Sequence, residues 1–275
     1  MNLANNNLEV AIPASRLDDV LKKVPASFTN VAIEFGAEDN PKLIRIRVKS
    51  TESSKSFFLT KEIEEMDVIS SGILLTETVL MRKVLSIFGD NLRIVWRPDR
   101  PIILKDDIET FEVIATNPDN IVMVELSKVF PYKDGRVKYP MRENGKILKD
   151  DGKIVMGVTD SCAIIPLDEF SKALKRADLA GHEYISLHLH DGDTQSSSGK
   201  YDVKSNRSNR NMSGVTVIGD GEVDLGKSLD EFTKIAGSDI SIHFNNEPVV
   251  TMVSESENEL CMYTLLKMQR PKPGE

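Results

Sequence analysis

Apolar side chains recur along the chain with the two periods that distinguish helices from strands. Leu17, Leu21 and Val24 follow one another at intervals of four and three residues, which predicts one apolar stripe along a short helix. The segments 43–48 and 185–190 instead alternate apolar and polar residues, as half-buried strands do. Short helices therefore interrupt a chain that consists mostly of strands, which favours an α+β fold with mainly antiparallel sheets.

The same succession of segments occurs twice. Segment 12–23 reads IPASRLDDVLKK and segment 165–176 reads IPLDEFSKALKR, so isoleucine, proline, leucine and lysine recur at matching positions. In both segments a predicted strand ends at a proline, whose fixed backbone angle suits the start of a helix. A second helix follows in each half, at 80–89 and 229–237, and each ends on a glycine that we predict to be its C-cap. This order predicts an internal duplication.

Three more strands close each half of the chain. They are predicted at 92–96, 101–104 and 111–116, and again at 240–244, 248–252 and 260–265. The predicted organisation is an N-terminal domain at 1–117, an interdomain connector at 118–157, a C-terminal domain at 158–268 and a tail at 269–275. Two turn sequences in the connector, Asp134-Gly135 and Asn144-Gly145, each predict a small hairpin.

Composition excludes several classes of protein. The 275 residues, 40% of them hydrophobic, suffice for two domains of ordinary size. Acidic residues outnumber basic residues by 43 to 35, which excludes a uniformly basic nucleic-acid binder. No apolar run reaches the roughly 18 residues that a membrane-spanning helix needs, and the first residues lack the pattern of a signal peptide. Cys162 and Cys261 are too few for a disulfide scaffold, so we expect a soluble protein in a reducing, cytoplasmic setting.

Basic side chains gather on the predicted helices although the whole chain is acidic. They could simply complement the helix macrodipoles, which favour cations near the C-terminus and acids such as Asp168 near the N-terminus. If four helices share one side of the sheets, the same cations form one basic surface that suits the phosphates of a nucleic acid. The residues concerned are Arg16, Lys22, Lys23, Arg82, Lys83, Lys172, Lys175, Arg176, Lys227 and Lys234.

Both halves resemble a DNA sliding clamp of the proliferating cell nuclear antigen (PCNA) family. The resemblance is carried by the paired helices, by the segment 231–234 before the strand at 240–244, and by Pro248 before the closing strand. It covers roughly 8–117 and 158–268 and indicates a divergent member, because Leu265-Leu266 stands where the family has Ala-Pro. It implies a ring of three two-domain subunits with antiparallel sheets outside. Two short helices per domain would line the hole.

The resemblance also implies a function. Such a clamp is not an enzyme and needs no cofactor or metal; it is a DNA polymerase processivity factor used in replication and repair. Its partners are double-stranded DNA bound without sequence specificity, DNA polymerase and other enzymes that dock short peptides, a clamp-loader ATPase, and further copies of itself in a homotrimer. We expect it in the cytoplasm at replicating DNA, or in the nucleus of a eukaryotic source. The alternative is a clamp-like checkpoint or scaffold subunit of a mixed ring.

The resemblance assigns individual residues as well. Its basic helix positions match Lys22, Lys23, Lys83, Lys172, Lys175 and Lys234, and its peptide-docking positions match Pro248, Tyr263, Leu265, Leu266 and Met268. The connector's apolar run at 121–124, with Ile121 and Met123, would form a wall of that pocket or, alternatively, a buried strand.

An enzyme on a duplicated scaffold is a third hypothesis. His188 and His190 place two imidazoles on one strand face, as in some metal sites, but no third ligand stands at a suitable spacing. The glycine-acid turns at 191–193 and 219–221 lack the ligands of a calcium loop. The sequence has no phosphate-binding loop, nucleophile elbow or dinucleotide fingerprint. We therefore predict no catalytic residues and no bound metal.

Overall fold

The structure is a computed structural model in which the chain divides into two compact units. The first unit is Met1–Val124 with Ser256–Cys261, and the second is Glu125–Glu255 with Met262–Glu275. The residues that it describes are 7–37, 40–50, 55–98, 100–123, 161–190, 193–199, 208–226, 229–237, 239–245 and 248–267, with short strands between 132 and 148. Most of the predicted connector, and the tail at 269–275, lie outside these ranges.

Among its described residues the first unit contains nine strands and two α-helices. In chain order these are β1 (Leu8–Ile12), α1 (Ala14–Lys22), β2 (Asn30–Phe35), β3 (Leu43–Lys49), β4 (Ser56–Glu62), β5 (Asp67–Ser70), β6 (Gly72–Glu77), α2 (Thr78–Leu85), β7 (Leu92–Trp96), β8 (Ile102–Lys105) and β9 (Thr110–Val113). Their antiparallel arrays run β5-β1-β7-β8-β9 and β4-β3-β2-β6.

The predicted hairpins of the connector are confirmed. Strand β10 (Tyr132–Lys133) pairs antiparallel with β11 (Arg136–Val137), and β12 (Met141–Glu143) pairs with β13 (Lys146–Leu148).

The second unit repeats the order of the first. Its elements are β14 (Ser161–Ile165), α3 (Leu167–Leu179), β15 (Tyr184–His190), β16 (Asp193–Gly199), β17 (Ser208–Asn211), β18 (Thr216–Ile218), β19 (Gly221–Gly226), α4 (Asp230–Ile235), β20 (Ile240–Phe244), β21 (Val249–Ser256) and β22 (Glu259–Leu266). The arrays β18-β14-β20-β21-β22 and β17-β16-β15-β19 correspond strand for strand to those of the first unit. The predicted duplication is therefore confirmed at the level of topology.

Apolar burial explains why the short helices form at all. Leu17, Val20 and Leu21 are almost completely buried on one side of α1, and Phe170, Ala173 and Ala177 occupy the same place on α3. Full burial of a leucine or valine side chain contributes roughly 1.5–3 kcal/mol, which a nine-residue helix needs because it is not stable alone. The helices pack in pairs, α1 with α2 and α3 with α4. No helix within the described ranges is both long and apolar enough to cross a membrane.

The ends of the helices correct one prediction. Helix α2 ends before Gly89, because the Ser86 hydroxyl donates to the carbonyl of Lys83 and a tight turn follows. Helix α4 likewise ends at Ala236, in extended conformation, before Gly237. The glycine cap instead follows α3, where Gly181 adopts φ +66° and the amides of Gly181 and His182 bond back to the carbonyls of Asp178 and Ala177. This is a Schellman motif, in which glycine avoids the strain of a left-handed conformation.

Candidate functional site

Helices α1 and α2 are joined by a network of ion pairs. Asp18 on α1 accepts from Arg82 on α2 over 2.9 Å and lies 2.8 Å from the ammonium group of Lys22, one turn along its own helix. Burial raises the pKa of Asp18, but the hydrogen bonds from Lys22 and Arg82 outweigh it, so the pKa lies below the ordinary value. Lys22 also pairs with Asp19 at 3.0 Å. Two of the predicted nucleic-acid contacts are thus already neutralised by local carboxylates.

The other cations of this unit differ in their surroundings. The guanidinium of Arg16 pairs with Glu65, whose pKa is lowered chiefly by that hydrogen bond. Lys23 lies 3.0 Å from Glu259. Lys83 is exposed and has no ion-pair partner among the described residues. Because α2 contains no acidic residue, basic character in this unit is concentrated there.

Helix α3 carries three acidic and three basic residues. Lys172 pairs with Asp168 at 2.8 Å and with Glu169 at 3.0 Å, so both carboxyl pKa values are lowered, in each case chiefly by the hydrogen bond from Lys172. The other oxygen of Glu169 lies 2.7 Å from Arg210 on β17. One buried carboxylate therefore binds a cation of the helix and a cation of an edge strand.

The structure brings two of the predicted basic residues together. A cavity of about 570 Å³ opens between α3 and α4, and Lys175 and Lys234 both contribute to its lining, with Asp178 and Tyr184. Lys175 and Arg176 are exposed and have no ion-pair partner within the part of the chain that the structure describes. Such a basic recess is suited to an anionic group. Lys227 lies outside the described residues.

The predicted peptide-docking residues divide into buried and exposed positions. Tyr263 is fully buried in β22, stacked on Phe232 with ring centroids 6.1 Å apart, and Leu265 is buried beside it in the strand. Pro248 and Leu266 are exposed and adjacent, because the amide of Lys267 donates to the carbonyl of Pro248 over 2.7 Å. Of the predicted docking residues that the structure describes in this unit, these two are therefore the ones with an accessible surface. Met268 lies outside the described residues.

The start of the connector lies beside the end of β3. The amide of Lys49 donates to the carbonyl of Val122 over 2.8 Å, which forms an isolated bridge. Apart from this bridge, the run at 121–123 is not a strand of a sheet. Ile121 is buried and Met123 is half-buried, so the run is only partly accessible to a partner. A peptide site here would have Met123 and Val122 as its accessible apolar groups.

One polar arrangement was not visible from the sequence. His188 Nε2 lies 2.8 Å from Ser197 Oγ, and His188 Nδ1 lies 3.5 Å from Glu222 Oε2, in the order used by serine hydrolases. However, β16 pairs on both sides, with β15 and β17, so the sheet ladder occupies the amides that would bind an oxyanion. The described residues also contain no group of three metal-ligating side chains.

The two cysteines are buried in strands β14 and β22. Burial raises the pKa of Cys162 to about 12 and raises that of Cys261 as well. Neither thiol is therefore a nucleophile at neutral pH.

Comparison with known proteins identifies the fold. No protein-family model matches the chain, and no curated protein matches it in sequence. A solved structure described as the C-terminal region of FEN-1 bound to A. fulgidus PCNA superimposes with a TM-score of 0.65 at 12% identity, covering 96% of this chain and 100% of that chain. The crystal structure of PCNA from Entamoeba histolytica gives a TM-score of 0.61 at 11% identity, covering 97% of this chain and 100% of that one. The chain therefore has the two-domain fold of the PCNA sliding clamps, as predicted.

Proposed function

We propose that this chain is a subunit of a homotrimeric sliding clamp that encircles duplex DNA and acts as a DNA polymerase processivity factor. The ring would be opened by a loader ATPase and would tether polymerase and other replication and repair enzymes at cytoplasmic or nuclear DNA. The observation that carries this proposal is the likeness to two PCNA structures over almost the whole chain. In one of them the clamp is described as bound to a region of FEN-1, which supports docking of partner segments.

The free edge of the first unit supports self-association. Within the described part of the chain, strand β9 pairs with β8 on one side only, and Ile108, Phe111 and Ile114 at or beside it are exposed. An unpaired edge strand with exposed apolar side chains is prone to pair with other chains, and a partner strand removes that edge. Closing a ring removes every such edge. The measurement is the mass in solution: a trimer has three times the 30.7 kDa of one chain.

Topological linkage to DNA is the decisive functional test. Protein loaded onto a closed circular plasmid should stay on the plasmid during a high-salt wash. Cutting the plasmid once should release the protein, because the closed ring, and not its affinity for DNA, holds it there. A mock digestion without the nuclease is the control. Equal loss from cut and uncut circles would contradict encirclement.

The cations on the helices can be tested with the same assay. Reversing the charge of Lys22, Lys83, Lys172 and Lys234 together should reduce loading, because a phosphate-lined duplex would then face like charge. Circular dichroism should show an intact fold, since all four side chains are exposed. Loading equal to that of the unmodified chain would contradict a role of these helices in binding DNA.

The ionic pairing of the helices favours one alternative function. Helices α3 and α4 together carry five acidic and four basic residues, which is little net attraction for a polyanion. This fits a clamp-like checkpoint or scaffold subunit of a mixed ring, in which other subunits supply most of the basic surface. A stable monomer that forms a ring only with a different chain would favour this alternative over the homotrimer.

A further inference from the structure

A cavity of about 400 Å³ opens in the first unit beside Trp96, the only tryptophan of the chain. Its walls are mostly apolar and include Leu75, Pro98, Pro101 and Ile114. Trp96 and Leu75 are almost completely buried, so the inner end of the cavity lies against the core of the unit. The volume lies within the range of about 300–1,000 Å³ that is usual for small-molecule pockets.

Backbone hydrogen bonds hold two walls of this cavity in place. The amide of Thr116 donates to the carbonyl of Leu75 over 3.1 Å, which fixes the chain after β9 against β6. The amide of Arg100 donates to the carbonyl of Arg97 over 3.2 Å on the other side, where Pro98 also restricts the backbone. The cavity is therefore formed before a ligand binds, and filling it costs little conformational entropy.

The polar side chains of the lining offer hydrogen-bond donors. The indole N–H of Trp96 is buried and has no acceptor among the described residues. The side-chain oxygen of Asn117 accepts from the amide of Asp119 over 3.0 Å, which leaves the side-chain nitrogen of Asn117 as a donor. Arg100 adds a guanidinium that has no ion-pair partner within the described part of the chain.

The charge and exposure of the lining indicate the class of ligand. No acidic residue is among the described residues that line the cavity, and Arg100 gives the lining a positive charge. Arg100 and Asn117 are exposed at the mouth, whereas Trp96 is buried at the inner end. An anion with an apolar body is complementary to this arrangement. One guanidinium suits the two oxygens of a carboxylate, whereas phosphate groups are recognised by clusters of arginines.

We propose that the Trp96 cavity binds a small carboxylic acid with an aliphatic or aromatic body. The carboxylate accepts from Arg100 and Asn117 at the mouth, and the apolar body packs against Trp96 and Leu75. This site is formed by residues of the first unit alone. It therefore goes beyond the ring proposed above and does not depend on it.

The first test titrates the unmodified chain with octanoate and with octanamide, an uncharged compound of equal length. Because Trp96 is the only tryptophan, its emission reports on the cavity. We expect a saturable change in emission with both compounds, with a dissociation constant about tenfold lower for octanoate, because only the acid forms a charge-assisted hydrogen bond with Arg100. Equal constants, or no saturable change with octanoate, would overturn the proposal.

The second test is the substitution Arg100→Gln, with Arg97→Gln as its matched control. Arg97 is an exposed arginine three residues earlier and does not line the cavity. Arg100→Gln should raise the dissociation constant of octanoate about tenfold and leave that of octanamide unchanged. Arg97→Gln should change neither constant. Equal effects of the two substitutions on octanoate would mean that net charge alone attracts the acid, and would refute the assigned contact.

A third variant tests the location of the site. Ala115 lines the cavity and is half-buried, so Ala115→Phe should fill the space and abolish the response to both compounds. A variant that is folded by circular dichroism and still binds octanoate would place the acid elsewhere; if the variant does not fold, the comparison of Arg100→Gln with Arg97→Gln decides. A response of Trp96 emission to a short peptide but not to octanoate would assign the cavity to a protein segment instead. None of these readouts depends on the mass of an oligomer, so their failure leaves the ring untouched.

Discussion

A buried histidine of the second unit makes the stability of the fold depend on pH. His243 on β20 is enclosed, with Ser241 Oγ at 2.9 Å and Cys162 Sγ at 3.8 Å from its Nε2. Burial disfavours the imidazolium and lowers the pKa of His243 from 6.5 to about 3. The folded chain therefore keeps this imidazole neutral at pH values where the unfolded chain protonates it.

The sign and size of the effect follow from that difference. Because the folded pKa is the lower one, the free energy of unfolding is at its full value above pH 6.5 and falls as the pH drops towards about 3. Each pH unit below 6.5 costs about 1.4 kcal/mol, so the loss reaches about 2 kcal/mol near pH 5. Carboxyl groups with lowered pKa values, such as Asp18 and Glu65, act in the same direction but below their ordinary values of 3.8 and 4.5. Between about pH 5 and 6.5, the change in the free energy of unfolding therefore comes from histidine and not from the carboxyl groups.

The assay is urea unfolding followed by circular dichroism across this interval. The unmodified chain is compared with His243→Gln, which cannot titrate, and with His190→Gln, which removes an exposed histidine. His243→Gln should be less stable at neutral pH but should lose about 2 kcal/mol less than the unmodified chain on acidification to about pH 5. If His243→Gln retains the whole pH dependence, or His190→Gln abolishes it, the buried neutral imidazole is not its cause.

Three further outcomes can be measured directly. Gly181→Ala should lower the free energy of unfolding in urea by about 1 kcal/mol because its φ of +66° strains alanine, whereas Gly89→Ala, with open space around it, should not lower it. Lys83→Ala should reduce the slope of log affinity for DNA against log salt by about 1, and Lys49→Ala on β3 should leave it unchanged; equal slopes for both would remove Lys83 from the contact. Cys162 should not react with a thiol reagent until the chain is unfolded, and a fast reaction of the folded chain would contradict its burial.

Local patterns in the sequence were sufficient for the fold. Strands β7 and β20 have the predicted bounds. Buried and more exposed positions alternate along β7, as the two-residue period of a strand requires, whereas all five residues of β20 are buried. The duplication was equally readable, since both halves keep a proline between the first strand and the first helix, at Pro13 and Pro166. Gly89 was assigned wrongly because a glycine permits a left-handed cap without requiring one, and the Ser86 hydroxyl ended the helix first.

The candidate site was less accessible to sequence reasoning. The pairing of Lys22 with Asp18 was visible in principle, because residues four apart on a helix face each other. The pairing of Arg16 with Glu65 was not, since it depends on tertiary structure. Tyr263 was likewise placed in a docking surface, but whether an aromatic side chain in a strand is buried depends on its partner, here Phe232. Alternation identifies the apolar face of an element but not what covers it.

Glu169 connects helix α3 to the edge strand β17 in the second unit through ion pairs. One carboxylate oxygen faces Lys172, 3.0 Å away on α3, and the other faces Arg210, 2.7 Å away on β17. An anion that draws Lys172 from this carboxylate leaves the whole negative charge to Arg210 and tightens the attachment of the edge strand. The charge on the surface of α3 and the attachment of strand β17 therefore depend on a single side chain.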